Sequence, residues 1–148
     1  MLAALAAAGL FGGYRALTSG RFYSGSRTRS SARPRNGQER VQLSLLEGTP
    51  WVDQTGERAT LLQFSSAFCA PCRATRQTLG AVAERTPGVT HVEVDAEQYL
   101  DVVRRLGVLR TPTTIVLDRN GHEVTRAAGA PTRGQVEAAL AGILESKM

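Results

Sequence analysis

Cys69-Ala70-Pro71-Cys72 holds both cysteines of this 148-residue chain, and the residues on either side of it restrict the fold. Thr60-Leu61-Leu62-Gln63-Phe64 reads as a buried strand, and a helical pattern runs out from Pro71. A strand that passes through a cysteine loop straight into a helix puts a thiol at the first helical turn. Unpaired backbone N–H groups and the positive end of the helix dipole favour a thiolate there, and the thiolate is the form that attacks a disulfide. The neighbouring thiol can then close onto the first and release the product. The residues alone leave two other readings open. Structural zinc takes a full set of Cys and His ligands, and only His91 and His122 accompany the cysteines. A static bridge across so short a loop would remove little chain entropy and stabilise weakly.

The rest of the chain supplies a pattern of alternating elements. Thr86-Pro87-Gly88 stops the helix that carries Leu79, Val82 and Ala83 on one face. Val89 to Val94 alternates, with Val92 and Val94 on one side and His91 and Glu93 on the other, and predicts a strand. Tyr99, Val102, Val103 and Leu106 predict a second helix, with Gly107 placed to end it. Thr113 to Leu117 reads as a strand. Asn120-Gly121 turns it into an antiparallel partner over 122–128. Thr132 with Gln135 forms a capping box before a last helix whose buried stripe is Val136, Ala139, Leu140 and Ile143. The order β-α-β-α-β-β-α predicts an α/β fold, one mixed sheet sandwiched by helices. Its βαβ half is right-handed, and the cysteines lie at the C-terminal end of a strand, where open α/β sheets carry their sites.

Charge separates a leader from this domain. Residues 1–40 hold seven arginines against Glu39, a balance of +6, while the whole chain is +5, so residues 41–148 are close to −1. The basic character belongs to the leader, and the domain lacks the basic runs and stacking aromatics of a nucleic-acid binder. Residues 1–17 are mostly apolar and read as a membrane anchor, short of the ~20 residues of a full span. No charged region precedes the run, as it would in a signal peptide. The arginines after it predict a domain on the cytoplasmic side. An Arg- and Ser-rich organelle transit peptide, with Arg21-Phe22-Tyr23-Ser24 resembling a processing site, and an untethered cytoplasmic protein are the alternatives. Residues 18–40, dominated by Ser, Gly, Arg, Asn and Pro, read as a disordered linker, and residues 41–148 as the folded domain.

Over about residues 42–145 the chain resembles the thioredoxin family. The resemblance rests on the strand–CAPC–helix unit at 60–85, on Thr111-Pro112-Thr113 entering the next-to-last strand, and on Gly129 after the hairpin. FSSAFCAPCRATR with LGVLRTPT is also similar to small actinobacterial thioredoxin-like proteins that carry an N-terminal apolar segment. The resemblance implies a thioredoxin fold and a redox disulfide Cys69–Cys72, with Cys69 the attacking thiolate and Cys72 the resolving thiol. It implies that Pro112 is a cis-proline facing the cysteines. Phe68, Ala70, Pro71, Thr111 and Pro112 would then be the substrate-contacting residues. The partners implied are protein disulfides and an upstream dithiol reductant, acting on a monomer, with no metal or organic cofactor.

Several positions depart from the family pattern, among them Phe68 in place of a tryptophan and Ala70-Pro71 in place of the common Gly-Pro. Gln63 stands where the family has a buried acid, and an amide cannot take a proton from the resolving thiol at neutral pH. Ser65 replaces an aromatic, and His91 replaces a lysine. His91 could titrate as a supporting base, although a lone histidine on a strand is more often structural. The competing expectation is a binding or assembly module on the same fold, with little redox activity.

Overall fold

The computed structural model describes residue 14, residues 20–23 and residues 44–145. The elements run β1 (Phe22–Tyr23), β2 (Ala59–Ser65), α1 (Ala70–Arg85), β3 (Val89–Asp95), α2 (Leu100–Arg105), β4 (Thr113–Asp118), β5 (Glu123–Ala128) and α3 (Arg133–Leu144). A short 3-10 turn at Val52–Gln54 precedes β2. Among the described residues the strands form one sheet in the order β1-β5-β4-β2-β3. The β2–β3 pair is parallel, and the β2–β4, β4–β5 and β1–β5 pairs are antiparallel.

β2 is central, and every one of its residues is buried. Alternation sends its side chains to two separate cores. Leu62 and Phe64 join Leu46, Trp51, Val92, Val94, Ile115 and Leu117 on the face covered by α2. Ala59 and Leu61 join Leu79 and Val82 of α1, and Val136 and Leu140 of α3, on the other. Helices cover both faces, which is why β2 reads as a near-continuous apolar run. Gln63 lies on the α1 side, fully buried.

Local signals explain most boundaries. Gly121 holds φ 76° in the β4–β5 turn, a conformation that glycine adopts without steric penalty. Asp118 Oδ1 closes that turn by accepting from the Asn120 and His122 amides. The Thr132–Gln135 capping box is formed at the start of α3. The helix expected across Tyr99 to Leu106 is a shorter Leu100–Arg105. Arg126 of β5 pins its end, donating to Leu106 O at 2.9 Å while gripping Glu123 through two guanidinium nitrogens.

The leader departs from expectation at one point. Residues 20–23 fall inside the segment read as linker, yet Phe22 and Tyr23 pair with Ala127 and Arg126 as an edge strand. Phe22 packs against the α1–α3 core. Gly20 is buried at φ 79°, donates to Ala128 O, and leaves no room for a Cβ against the Ala130 carbonyl. A strand of two residues has no periodicity to read in a sequence. The anchor expected over 1–17 lies outside the described residues apart from Tyr14. Among the described residues, no helix is long and apolar enough to cross a membrane.

Candidate functional site

β2 ends at Ser65, and residues 66–69 turn the chain into α1. Cys69 occupies the N-cap position in extended conformation, and its Sγ accepts from the Cys72 amide at 3.1 Å. Pro71 sits in the first turn, where a missing N–H leaves no bond unmade. The two sulfurs are bonded, with Cα atoms 5.2 Å apart. Cys69 is partly exposed and Cys72 is buried at 2% exposure. An incoming thiol or disulfide therefore reaches Cys69 first.

The Thr111–Pro112 peptide is cis. Its loop meets the cysteine loop through a 3.0 Å hydrogen bond between the Ser66 and Thr111 hydroxyls. On its other side the Gly129 amide donates to Pro112 O at 2.7 Å. Pro112 is buried and Thr111 partly so, while Ala70 and Pro71 are exposed. Phe68 is 99% exposed, so its ring neither packs into the domain nor shields the sulfurs.

Behind the disulfide, Gln63 and His91 act on each other rather than as two separate supports. Gln63 donates through Nε2 to the Cys72 carbonyl at 3.0 Å, and its Oε1 lies 3.0 Å from His91 Nε2. An amide oxygen can only accept, so His91 Nε2 carries the hydrogen. Burial holds the His91 pKa below its ordinary range, with Glu93 pulling it up and Arg76 pushing it down. Neutral His91 then has its lone pair on Nδ1, the atom beside Gly80, two turns along α1 from Cys72. In this arrangement the His91 ring fixes the Gln63 amide.

Sequence reading passed over a second polar cluster. Ser65 donates to Glu93 Oε1, and Arg76 binds the same carboxylate through Nη2 and Nε. Burial pushes the Glu93 pKa up. The hydrogen bonds from Arg76 and Ser65 and the charges of Arg76 and His91 outweigh that and hold it below its ordinary value. The hydrogen bond to Glu93 in turn raises Arg76. This cluster floors a cleft of about 380 Å³ that also touches Cys69 and Cys72. Its signal was present in part: strand alternation puts His91, Glu93 and Asp95 on one face, and helical spacing puts Cys72 and Arg76 on one side of α1.

The thioredoxin family model matches residues 50–142, more than half of the chain. The chain belongs to the thioredoxin family. Thioredoxin-2, mitochondrial, of Schizosaccharomyces pombe is 28% identical over 79 residues, covering 53% of this chain and 59% of its own length. The thioredoxin of Alicyclobacillus acidocaldarius is 29% identical over 91 residues, 61% of this chain and 86% of its own. Among solved structures, thioredoxin from Trypanosoma brucei brucei superposes with a TM-score of 0.55 at 26% identity, covering 64% of this chain and 87% of that one. The chain thus spans about three fifths of the mitochondrial relative's length. Family membership agrees with the mixed sheet and with the cysteine loop at the end of β2.

Proposed function

We propose that this protein is a thiol–disulfide oxidoreductase in which Cys69 is the nucleophile and Cys72 the resolving thiol. The observation that carries this reading is the difference between the two sulfurs: Cys69 is partly exposed at the N-cap of α1, and Cys72 is buried behind it. The Cys69 thiolate attacks one sulfur of a substrate disulfide, forms a mixed disulfide and expels the other sulfur as a thiolate. Cys72 then loses its proton to that leaving thiolate and attacks the Cys69 sulfur. The substrate's second sulfur departs, and Cys69–Cys72 closes. Two electrons have moved to the substrate, and a dithiol reductant returns the protein to its open form. Phe68, Ala70, Pro71, Thr111 and Pro112 form the contact surface for the substrate chain, and the exposed Phe68 ring supports that assignment.

The domain works as a monomer on protein disulfides. Residues 1–17 tether it to a membrane with the domain on the cytoplasmic side, a reading supported by the uncharged apolar run at 1–14 and the seven arginines against one glutamate that follow it up to residue 40. In the Cys72→Ser protein, mixed disulfides with partners accumulate and resist resolution. They disappear when Cys69 is also replaced. Non-reducing electrophoresis reads both results, and adducts that persist in a Cys69→Ser protein would remove Cys69 from the nucleophile's role.

A further inference from the structure

The cleft beside the disulfide has features that the exchange chemistry does not use. Its volume of about 380 Å³ lies at the small end of the ~300–1,000 Å³ typical of small-ligand sites. It is open because Ser65 and Ala67 line it with small side chains. It is also mixed in charge, with Arg73, Arg76, Glu93 and Asp95 on its walls.

These charges are not equally engaged. Arg76 and Glu93 neutralise each other at hydrogen-bonding distance. Arg73 is exposed and pairs with no carboxylate among the described residues. Asp95 accepts from the Glu97 amide and from Gln98 Nε2, both neutral donors, so its negative charge meets no cation among the described residues. Among the described residues, one unpaired cation and one unpaired anion are left on the walls of an open cleft that reaches both sulfurs. A group with a single charge gains from one wall and is repelled by the other. A group carrying both an ammonium and a carboxylate answers both.

Resting on the oxidoreductase reading above, we propose that this cleft is a substrate subsite for a zwitterionic half-disulfide, a cysteine with free α-ammonium and α-carboxylate groups. Arg73 takes the carboxylate and Asp95 the ammonium. The reaction balances as before: the Cys69 thiolate displaces one cysteine thiolate from the small disulfide. Cys72 passes its proton to that thiolate and displaces the second cysteine, so two electrons pass to the substrate. The same half-disulfide occurs in free cystine and in a cysteine bonded to a protein thiol. A peptide S-cysteinylated on its single thiol separates the two sources, because it reacts only if the cleft tolerates a chain on the other sulfur.

The test uses the reduced full-length protein with four disulfides: cystine, cystamine, dithiodipropionate and bis(2-hydroxyethyl) disulfide. Loss of protein dithiol is followed by thiol alkylation and mass spectrometry. Each rate is divided by that of the same disulfide with dithiothreitol, which removes intrinsic reactivity. Cystine should exceed the neutral disulfide by about tenfold on this scale, the worth of one charge-assisted hydrogen bond, and should also exceed both disulfides whose charges are of one sign. Arg73→Ser and Asp95→Asn should each bring the cystine ratio below about threefold on the same scale. Ser65→Phe, which fills the cleft and leaves both charges, should do likewise. Equal normalised rates for all four disulfides, or a preference that survives Arg73→Ser and Asp95→Asn, would overturn the subsite while leaving disulfide exchange in place. No reaction with any of them would also overturn the subsite, while the trapping of protein adducts by the Cys72→Ser protein decides the oxidoreductase reading on its own.

Discussion

Gln63→Glu tests the polar arrangement behind the disulfide directly. The exchange keeps shape and replaces one NH₂ by oxygen. In the parent protein that NH₂ donates to the Cys72 carbonyl, and the neighbouring oxygen faces His91, in a site with no solvent exposure. An ionised carboxylate in that place would set oxygen against carbonyl oxygen, so the introduced carboxyl keeps its proton and donates in the amide's place. Full burial alone raises a carboxyl pKa by up to 3–5 units. An imidazolium at His91, with Nε2 3.0 Å from this position, would pair with the carboxylate and return part of that shift. A net rise of about 2 units above the unfolded value of ~4.3 corresponds to about 2–3 kcal/mol of lost stability at pH 7.5. The sign follows from proton binding. The native variant holds this proton above pH ~4.3, where the unfolded chain has lost it. Its stability relative to the parent therefore falls as pH rises, and levels off above the native pKa. Urea unfolding of both oxidised proteins from pH 4 to pH 8 measures the difference directly. The curves should converge near pH 4 and separate by about 1.4 kcal/mol per pH unit between the two pKa values. A gap that is constant across that range, or absent at pH 7.5, would mean that Gln63 is not the dry donor to Cys72 described above.

Three other outcomes follow from the same packing. His91 and Glu93 both titrate below their ordinary values of 6.5 and 4.5 in the folded protein. The unfolded chain therefore binds more protons on the acid side, and stability falls as pH drops below ~6.5 and again below ~4.5. A urea midpoint unchanged between pH 7 and pH 5.5 would contradict the His91 part, and His91→Gln should flatten that interval. Leu79 of α1 is fully buried in the core shared with α3, so Leu79→Ala should lose about 2–5 kcal/mol by chemical unfolding. Thr132→Ala removes the capping-box oxygen of α3 and should lose about 1 kcal/mol, visible as a lower thermal midpoint with an unaltered native spectrum.

Most of the fold was legible because its signals are local. The Asn120-Gly121 turn, the Thr132–Gln135 box and the Gly107 stop each act within a few residues, and each is where the sequence puts it. The strand–cysteine–helix unit was legible for the same reason, and Cys69, Pro71 and Cys72 follow directly from it. The supports around them depend on register. Gln63 and His91 lie 28 positions apart and meet only because β2 and β3 pair in parallel at Leu61–His91 and Gln63–Glu93. The Ser65–Glu93–Arg76 cluster needs that register and the seating of α1 above it. A sequence shows which side chains share a face, but not which atoms of two faces come within hydrogen-bonding reach. β1 was hidden differently: a two-residue strand among Arg, Ser and Gly carries no pattern, and its position is set by the edge of β5 that it completes.

That short strand bears on where the protein can be cut. The span matched by the family begins at residue 50, beyond Phe22 and Tyr23. A recombinant fragment trimmed to it would retain every group lining the sulfur cleft. It would also strip Arg126 and Ala127 of their outer neighbours and uncover the apolar surface that Phe22 shelters. Any shortened version intended for solution work should therefore keep the chain from Gly20 onward, whatever becomes of the residues before it.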